Sequence, residues 1–209
     1  MASLLVGIAG GSGSGKTTLA KALAEALPPG QVVVIPHDAY YRDLGDLAYD
    51  DRVRCNFDEP AALDNQRLAA DLNKLRAGQT IARPNYDFTT HTRLAETTRV
   101  DATPVVIVEG ILVLAIPALC ELLDLKVFVA TSEATRLARR IERDMAKRGR
   151  TREGAEAQYI RQTRPMHDLH VEPSRGHAQV VVSGEIDAGQ AAESVTVEIL
   201  QRLKPGIRA

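Results

Sequence analysis

The sequence predicts a three-layer α/β fold with a mainly parallel central sheet. Five short runs are rich in β-branched residues, as strands buried on both faces are, and they lie at residues 4–9, 31–35, 105–108, 125–129 and 179–182. Helical stretches separate these runs, and that alternation is typical of parallel sheets. The chain has 209 residues, 44% of them hydrophobic, which suits a single domain over residues 1–209 with a substantial core.

The helices follow from apolar spacing. Leu19, Leu23 and Leu27 recur at intervals of four residues after the first strand, which predicts a helix over residues 17–27. Further helices are predicted over residues 64–77, 116–123, 133–147, 152–164 and 189–203. Residues 39–57 and 81–99 lack a core pattern and are rich in Tyr, Asp, Arg and His, so we interpret them as long irregular excursions that carry function.

A complete phosphate-binding loop lies between the first strand and the first helix. It consists of Gly10, Gly11, Ser12, Gly13, Ser14, Gly15, Lys16 and Thr17, with Thr18 next in the helix. Backbone N–H groups of such a loop surround a phosphate, Lys16 reaches the β- and γ-oxygens, and the Thr17 hydroxyl binds Mg²⁺. A simple Gly/Ser-rich turn is disfavoured because every fixed position and both flanking elements agree. The loop predicts binding of a nucleoside triphosphate with Mg²⁺.

Two carboxylates follow strands at the same predicted edge of the sheet. Asp38 comes three residues after the second strand, and Glu109 comes directly after the third. Because an open parallel sheet binds its ligands at the strand C-termini, Asp38 is a candidate base or indirect Mg²⁺ ligand and Glu109 a candidate Mg²⁺ partner. The alternative for Asp38 is that it caps the following turn.

Arginines are concentrated between residues 136 and 152. The set comprises Arg136, Arg139, Arg140, Arg143, Arg148, Arg150 and Arg152. Ser132 or Thr131 can cap this helix, and Arg136, Arg140 and Arg143 share one face by i, i+3, i+4 spacing. Such a lid, at about residues 144–157, would neutralise transferring phosphates. The alternative, a solvent-exposed basic face, is assigned first to Arg136, Arg139 and Arg152.

Overall composition excludes several classes of protein. The formal net charge of −1 gives no case for nucleic-acid binding, and no apolar run is long enough to cross a membrane. The N-terminus leads directly into the first strand without a signal-peptide pattern, so we expect a cytoplasmic protein. Cys55 and Cys120 form neither a disulfide framework nor a metal-ligand pair.

Several blocks together resemble the uridine kinase (uridine-cytidine kinase) family of P-loop kinases. They are the phosphate loop and residues 38–41, 56–60, 84–93, 109–112 and 148–150, in collinear order from about residue 5 to residue 187. The block around Tyr86, Phe88 and His91 is much more specific than the phosphate loop. The resemblance implies a three-layer P-loop kinase that transfers the γ-phosphate of ATP or GTP to the 5′-hydroxyl of uridine or cytidine.

The resemblance also implies roles for individual residues. Asp38 would be the base, Lys16, Arg143 and Arg148 would act on the phosphates, and Thr17, Asp38 and Glu109 would surround Mg²⁺. The residues implied for the nucleoside are Asp58, Tyr86, Phe88, His91, Arg140, Arg150 and Gln158, and Asp187 would lie near the base of the nucleotide donor. A carboxylate such as Asp58 can accept hydrogen bonds from ribose hydroxyls, and this would disfavour a deoxyribose. Packing of an edge hairpin is the alternative for Tyr86 and Phe88.

The resemblance further implies a homo-oligomer, commonly a tetramer. Ser183-Gly184-Glu185 replaces a more usual Pro-Arg-Gly segment, which bears on the choice between ATP and GTP. A P-loop kinase of another small hydroxylated substrate, such as phosphoribulokinase or pantothenate kinase, stays open. So does a nucleotide-dependent switch, although a switch needs neither a base such as Asp38 nor an acceptor pocket.

Overall fold

In the computed structural model, which describes residues 2–203 apart from the side chains of residues 147 and 148, a parallel sheet forms the middle layer. Its strands are β1 (Leu4–Ala9), β2 (Val32–Pro36), β5 (Val105–Glu109), β6 (Leu125–Ala130) and β7 (Val180–Ser183), in the order β2-β5-β1-β6-β7. All four pairings are parallel. The predicted fold class is confirmed.

A separate antiparallel hairpin pairs β3 (Ile81–Asp87) with β4 (Thr92–Val100). The prediction of an irregular excursion over residues 81–99 is therefore wrong. Most of β4 is exposed, so its two faces do not alternate between core and solvent, and the period-two signal of a half-buried strand is missing. The hairpin has no strand pairing with the central sheet.

Helices cover both faces of the central sheet. The helices are α1 (Lys16–Ala26), α2 (Tyr49–Arg54), α3 (Asn65–Arg76), α4 (Pro117–Cys120), α5 (Glu133–Arg148), α6 (Arg152–Gln158), α7 (Arg164–Met166), α8 (Glu172–Ser174) and α9 (Ala188–Leu203). Successive residues of β1 enter two different cores, since Leu5 packs with α3 and α4 while Val6 packs with α1 and α9. This alternation produces the three predicted layers.

Two π-helical turns interrupt the helical segment that α6 begins. They span Tyr159–Thr163 and His167–Val171, and α7 and α8 follow them. A proline comes two residues after each turn, at Pro165 and Pro173. Since proline has no N–H for the i−4 carbonyl, the normal α-helical ladder cannot continue there. The predicted helix over residues 152–164 thus includes a π-helical turn.

The ends of α5 show why this helix forms where the sequence predicts it. The Ser132 hydroxyl accepts a hydrogen bond from the N–H of Thr135, and Gly149 ends the helix in the left-handed conformation at φ 62°.

The predicted helix over residues 116–123 is shorter than expected, since only Pro117–Cys120 is helical. Within residues 2–203, no helix combines the length and apolar character that crossing a membrane requires. Both cysteines are free thiols.

Candidate active site

The phosphate loop connects the end of β1 to the start of α1. Gly13 has φ 81°, and a Cβ atom there would come within 2.4 Å of the Arg136 carbonyl oxygen, so only glycine fits. Lys16 is buried, and its Nζ donates a hydrogen bond to the Gly11 carbonyl oxygen over 2.9 Å. The phosphate loop is therefore tightly folded, and the Lys16 side chain bends back across it to reach the Gly11 carbonyl.

Arg136 lies under this loop rather than in solvent. It is 5% exposed, and its Nε donates to the Thr131 carbonyl oxygen over 3.2 Å. A Cβ at Gly11 would come within 2.6 Å of Arg136 Nη1. The expectation of a solvent-exposed Arg136 is wrong because this face of α5 packs against the phosphate loop. Arg139 is exposed but donates to the Gly184 carbonyl oxygen, whereas Arg152 is exposed as expected.

The edge formed by the ends of β1, β2 and β5 carries a hydroxyl and two carboxylates. Thr17 Oγ1 donates to Glu109 Oε1 over 3.1 Å. Burial raises the pKa of Glu109 and lowers that of Lys16, while the attraction between these two groups opposes both shifts. Asp38 is half-buried and interacts electrostatically with both groups. No group among the described residues donates a hydrogen bond to the Asp38 side chain, so the structure gives no support to the capping alternative.

This edge fits a magnesium ion that is shared with phosphate. Thr17, Asp38 and Glu109 supply hard oxygen ligands, which Mg²⁺ prefers. Among the described residues, no group of three or more acidic, histidine or cysteine side chains could hold a metal alone. Mg²⁺ typically combines one or two carboxylates with substrate phosphates, and the residues present match that pattern.

The arginines of α5 converge on the phosphate loop and on one buried carboxylate. Arg140 Nη1 and Arg143 Nη2 lie 2.9 and 3.5 Å from the Ser12 hydroxyl. Asp144 is fully buried and forms ion pairs with Arg140, Arg143 and Arg150 at 3.7, 3.0 and 3.0 Å. Desolvation lowers the pKa of Arg140, although nearby Asp58 and Asp144 oppose this. The α5 helix thus brings Arg140 and Arg143 to the mouth of the phosphate loop, and Arg150, just after the helix, joins them through Asp144.

An aromatic wall lies on the other side of the cavity. Phe57 stacks on His91 with ring centroids 4.7 Å apart and an angle of 20° between the planes. Tyr86 contacts Phe88 and Tyr41, each at 5.3 Å between centroids. His91 adopts φ 56° at the tip of the hairpin. Tyr86 lies on β3 and Phe88 in the turn that follows it, so both belong to a hairpin, and both line the cavity.

Tyr86 carries a polar group into this wall. Its side chain is 9% exposed, and its hydroxyl has no hydrogen-bond partner among the described residues. Burial raises the pKa of Tyr86 to about 12, so the hydroxyl is protonated at neutral pH. A buried hydroxyl without a partner is costly, and a polar ligand in the cavity can supply one.

Asp58 lies between the aromatic wall and the arginines. Its Oδ2 accepts a hydrogen bond from Thr163 Oγ1 over 2.6 Å. Gln158 Oε1 accepts from Arg140 Nη2 over 3.3 Å and also from Arg150 Nη1. The first contact ties the π-helical turn to the loop before α3, and the others tie the end of α6 to the arginines.

One cavity of about 590 Å³ extends from the phosphate loop past the carboxylates and the arginines to the aromatic wall. The predicted residues that line it are Ser12, Gly13, Gly15, Lys16, Thr17, Thr18, Asp38, Asp58, Tyr86, Phe88, His91, Glu109, Arg140, Arg143, Arg150 and Gln158. Gly10, Gly11 and Ser14 belong to the same loop behind its surface. The side chain of Arg148 lies outside the described residues.

Asp187 is not among the lining residues. Its Oδ1 instead accepts hydrogen bonds from the N–H groups of Gly189 and Gln190, at 2.8 and 3.3 Å, and thus caps α9. The neighbouring Gly184 does approach the phosphate loop, since a Cβ there would come within 2.0 Å of the Ser14 carbonyl oxygen.

Sequence reasoning assigned no role to several lining residues. They are Tyr41, Tyr49, Val53, Phe57, Thr89, Gly110, Ile111 and Gln162, and the cavity is also lined by Arg139, which was predicted as part of a solvent-exposed basic face. Tyr41 and Phe57 stand beside Asp38 and Asp58 in the sequence blocks that carry the resemblance, and that adjacency was the available signal. Gln162 lies four residues after Gln158, and this helical i, i+4 spacing, which puts both side chains on one face, was the available signal for it.

The parallel sheet, the phosphate loop and the adjoining cavity define a P-loop kinase. A sequence profile of the "Phosphoribulokinase / Uridine kinase family" matches residues 5–187. The chain belongs to that family. It is 44% identical over 181 residues to a "Uridine kinase" of Chloroflexus aggregans, covering 87% of each chain. It is 42% identical over 179 residues to a "Uridine kinase" of Bacillus cytotoxicus, covering 86% of this chain and 84% of the relative.

The fold is also similar to the solved structure of phosphoribulokinase from Rhodobacter spheroides. The TM-score is 0.65 at 15% sequence identity, with 91% of this chain and 74% of the other covered. At that identity the likeness concerns the fold alone.

Proposed function

We propose that this chain is a uridine kinase that transfers the γ-phosphate of ATP to the 5′-hydroxyl of uridine or cytidine, as in pyrimidine salvage. The observation that carries the proposal is the single cavity, which has a phosphate loop at one end and an aromatic wall at the other. The two relatives at 42% and 44% identity are both named uridine kinase, which does not favour the alternative of another hydroxylated substrate.

The donor triphosphate binds at the phosphate loop. Backbone N–H groups of the loop and the N-terminus of α1 receive the phosphates, and Lys16 exchanges its bond to Gly11 for phosphate oxygens. Thr17, Asp38 and Glu109 hold Mg²⁺, which supplies charge neutralisation at the phosphates. Arg143 turns from Ser12 towards the transferring phosphoryl group, and Arg148 has the same role. We also propose GTP as an alternative donor and Asp187 as a contact to the base of the nucleotide.

The nucleoside binds at the aromatic end. Tyr86, Phe88 and His91 receive the pyrimidine, and the unpartnered Tyr86 hydroxyl gains a hydrogen bond from it. A histidine donates or accepts according to its tautomer, so His91 accommodates both O4 of uridine and N4 of cytidine. Asp58 accepts from the ribose hydroxyls, while Arg140, Arg150 and Gln158 complete the sugar site.

Asp38 is the proposed base. Asp38 lines the cavity that holds the phosphate loop and the proposed sugar site, and no described residue donates a hydrogen bond to its carboxylate. It accepts the proton of the 5′-hydroxyl as the oxygen attacks the γ-phosphorus and the bond to the β-phosphate oxygen breaks. The products are ADP and a nucleoside 5′-monophosphate.

Acceptor-dependent ADP formation tests the proposal. Purified protein with Mg²⁺ and ATP is given uridine, cytidine, thymidine, ribulose 5-phosphate, pantothenate or no acceptor, and products are identified by mass. UMP and CMP with little thymidine product support the proposal. Turnover of ribulose 5-phosphate or pantothenate alone would overturn the nucleoside assignment, and slow hydrolysis that ignores every acceptor would favour a nucleotide switch. We further propose that the protein is cytoplasmic and that it forms a homo-oligomer. Sedimentation of the purified protein tests the oligomeric state.

A further inference from the structure

We infer that Thr163 is a positioning residue that sets the preference of the site for ribose, by fixing the carboxylate of Asp58. This inference rests on the proposed function, in which Asp58 receives the sugar. Thr163 is 3% exposed and does not line the cavity, so it acts through its neighbour rather than on a substrate.

The contact itself is short and directional. Thr163 Oγ1 donates to Asp58 Oδ2 over 2.6 Å, within the range of a strong O–H···O⁻ bond. Among the described residues, Thr163 is the one side chain that donates a hydrogen bond to this carboxylate. A threonine hydroxyl carries a single proton, so this bond commits it to Oδ2 and leaves Oδ1 to accept from a ligand.

The local fold explains why Thr163 reaches Asp58. Thr163 ends the first π-helical turn, where the N–H of Arg164 bonds to the carbonyl of Tyr159, five residues back. The wider turn rotates Thr163 relative to its place in an α-helix, so its side chain meets Asp58 behind the cavity, which Gln158 and Gln162 line. Arg140 adds a favourable charge near the same carboxylate.

A fixed carboxylate makes the loss of a sugar hydroxyl costly. If the plane of the Asp58 carboxylate is held, Oδ1 faces the position of the ribose hydroxyl and loses its partner when a deoxyribose binds. A carboxylate that is free to rotate turns to other donors or to water, and the penalty against deoxyribose shrinks. Thr163 therefore contributes to selectivity as well as to affinity.

Thr163→Val tests the inference, because valine keeps the shape and removes the hydroxyl. Thr163→Ser keeps the hydroxyl. The control is Thr196→Val on α9, whose side chain is only partly exposed and whose hydroxyl has no hydrogen-bond partner among the described residues. For each protein, kcat and KM are measured with uridine, 2′-deoxyuridine and 3′-deoxyuridine, uridine affinity is measured by calorimetry, and Tm is recorded.

In Thr163→Val we expect kcat/KM for uridine to fall about ten- to a hundredfold, mainly through KM, as the loss of a hydrogen bond to a charged group predicts. For at least one deoxyuridine the fall is below about threefold, so selectivity for ribose collapses. Thr163→Ser and Thr196→Val keep the wild-type ratio. An equal fall for all three nucleosides, no fall, or a serine variant that behaves like valine would overturn the inference alone. A wild-type protein that phosphorylates no nucleoside overturns the proposed function and this inference with it.

Discussion

Asp144 is the residue whose substitution should disturb the arginine cluster most. Its fully buried carboxylate forms ion pairs with Arg140, Arg143 and Arg150. Asp144→Asn keeps the shape of the side chain, removes the negative charge and leaves one acceptor oxygen where there were two. The cations then repel each other at the mouth of the phosphate loop without a counter-charge.

The expected loss of stability follows from burial. Removing one partner of a buried ion pair costs about 3–5 kcal/mol. The Arg143 side chain is 36% exposed, so water screens part of that attraction, and we take the lower end, about 3 kcal/mol. In a protein of this length that loss lowers Tm by roughly 6–12 °C.

Thermal unfolding and steady-state kinetics together check this prediction. Glu142→Gln is the matched control, because Glu142 lies on the same helix two residues earlier and is exposed, so its substitution should change stability by less than about 0.5 kcal/mol. In Asp144→Asn we also expect kcat to fall while KM for ATP does not rise, since the arginines lose their orientation but the site gains net positive charge. Values of Tm and kcat equal to those of Glu142→Gln would refute the assignment of a positioning role to Asp144.

Three further substitutions probe the two ends of the cavity. Asp38→Asn should lower kcat roughly 10²- to 10⁴-fold with little change in KM for ATP or uridine, and near-normal turnover would remove Asp38 from the role of base. Burial raises the pKa of Glu109, so as the pH is lowered this carboxylate becomes protonated at a higher pH than an exposed glutamate does. Activity at limiting Mg²⁺ should fall over the same pH range. The Glu109→Gln variant should need more Mg²⁺ at every pH tested. Tyr86→Phe should raise KM for uridine about tenfold without lowering Tm, because the hydroxyl has no partner to lose in the free protein; an unchanged KM would mean that the hydroxyl does not touch the base.

The sheet and the phosphate loop were predictable because their signals are local. The buried strands read as continuous β-branched runs, and Ser132 caps α5 as its position before Glu133 predicts. The edge at which Glu109 and Thr17 meet follows from parallel topology, and their hydrogen bond confirms that they are neighbours.

The rest depended on tertiary packing. Arg136 reads as a surface residue, since nothing in its neighbourhood in the sequence shows that Gly11 and Gly13 leave room for it beneath the phosphate loop. Asp144 reads as one half of an i, i+4 surface pair, although it is buried between arginines. Thr163 was not predicted either, because its side chain reaches Asp58 only through the wider π-helical turn.

The lack of strand pairing between the β3–β4 hairpin and the central sheet has a consequence for how this scaffold can change. Tyr86 and His91 stand on or beside an element that shares no strand pairing with the sheet that carries the phosphate loop. If the acceptor binds as proposed, substitutions at the hairpin tip therefore alter which acceptor is recognised while the strands that carry the phosphate loop keep their register. Under the proposed function, the sheet and the phosphate loop serve the donor while the hairpin tip serves the acceptor, so a graft at the tip that keeps the buried Ile81 and Val100 is the natural way to redirect the site.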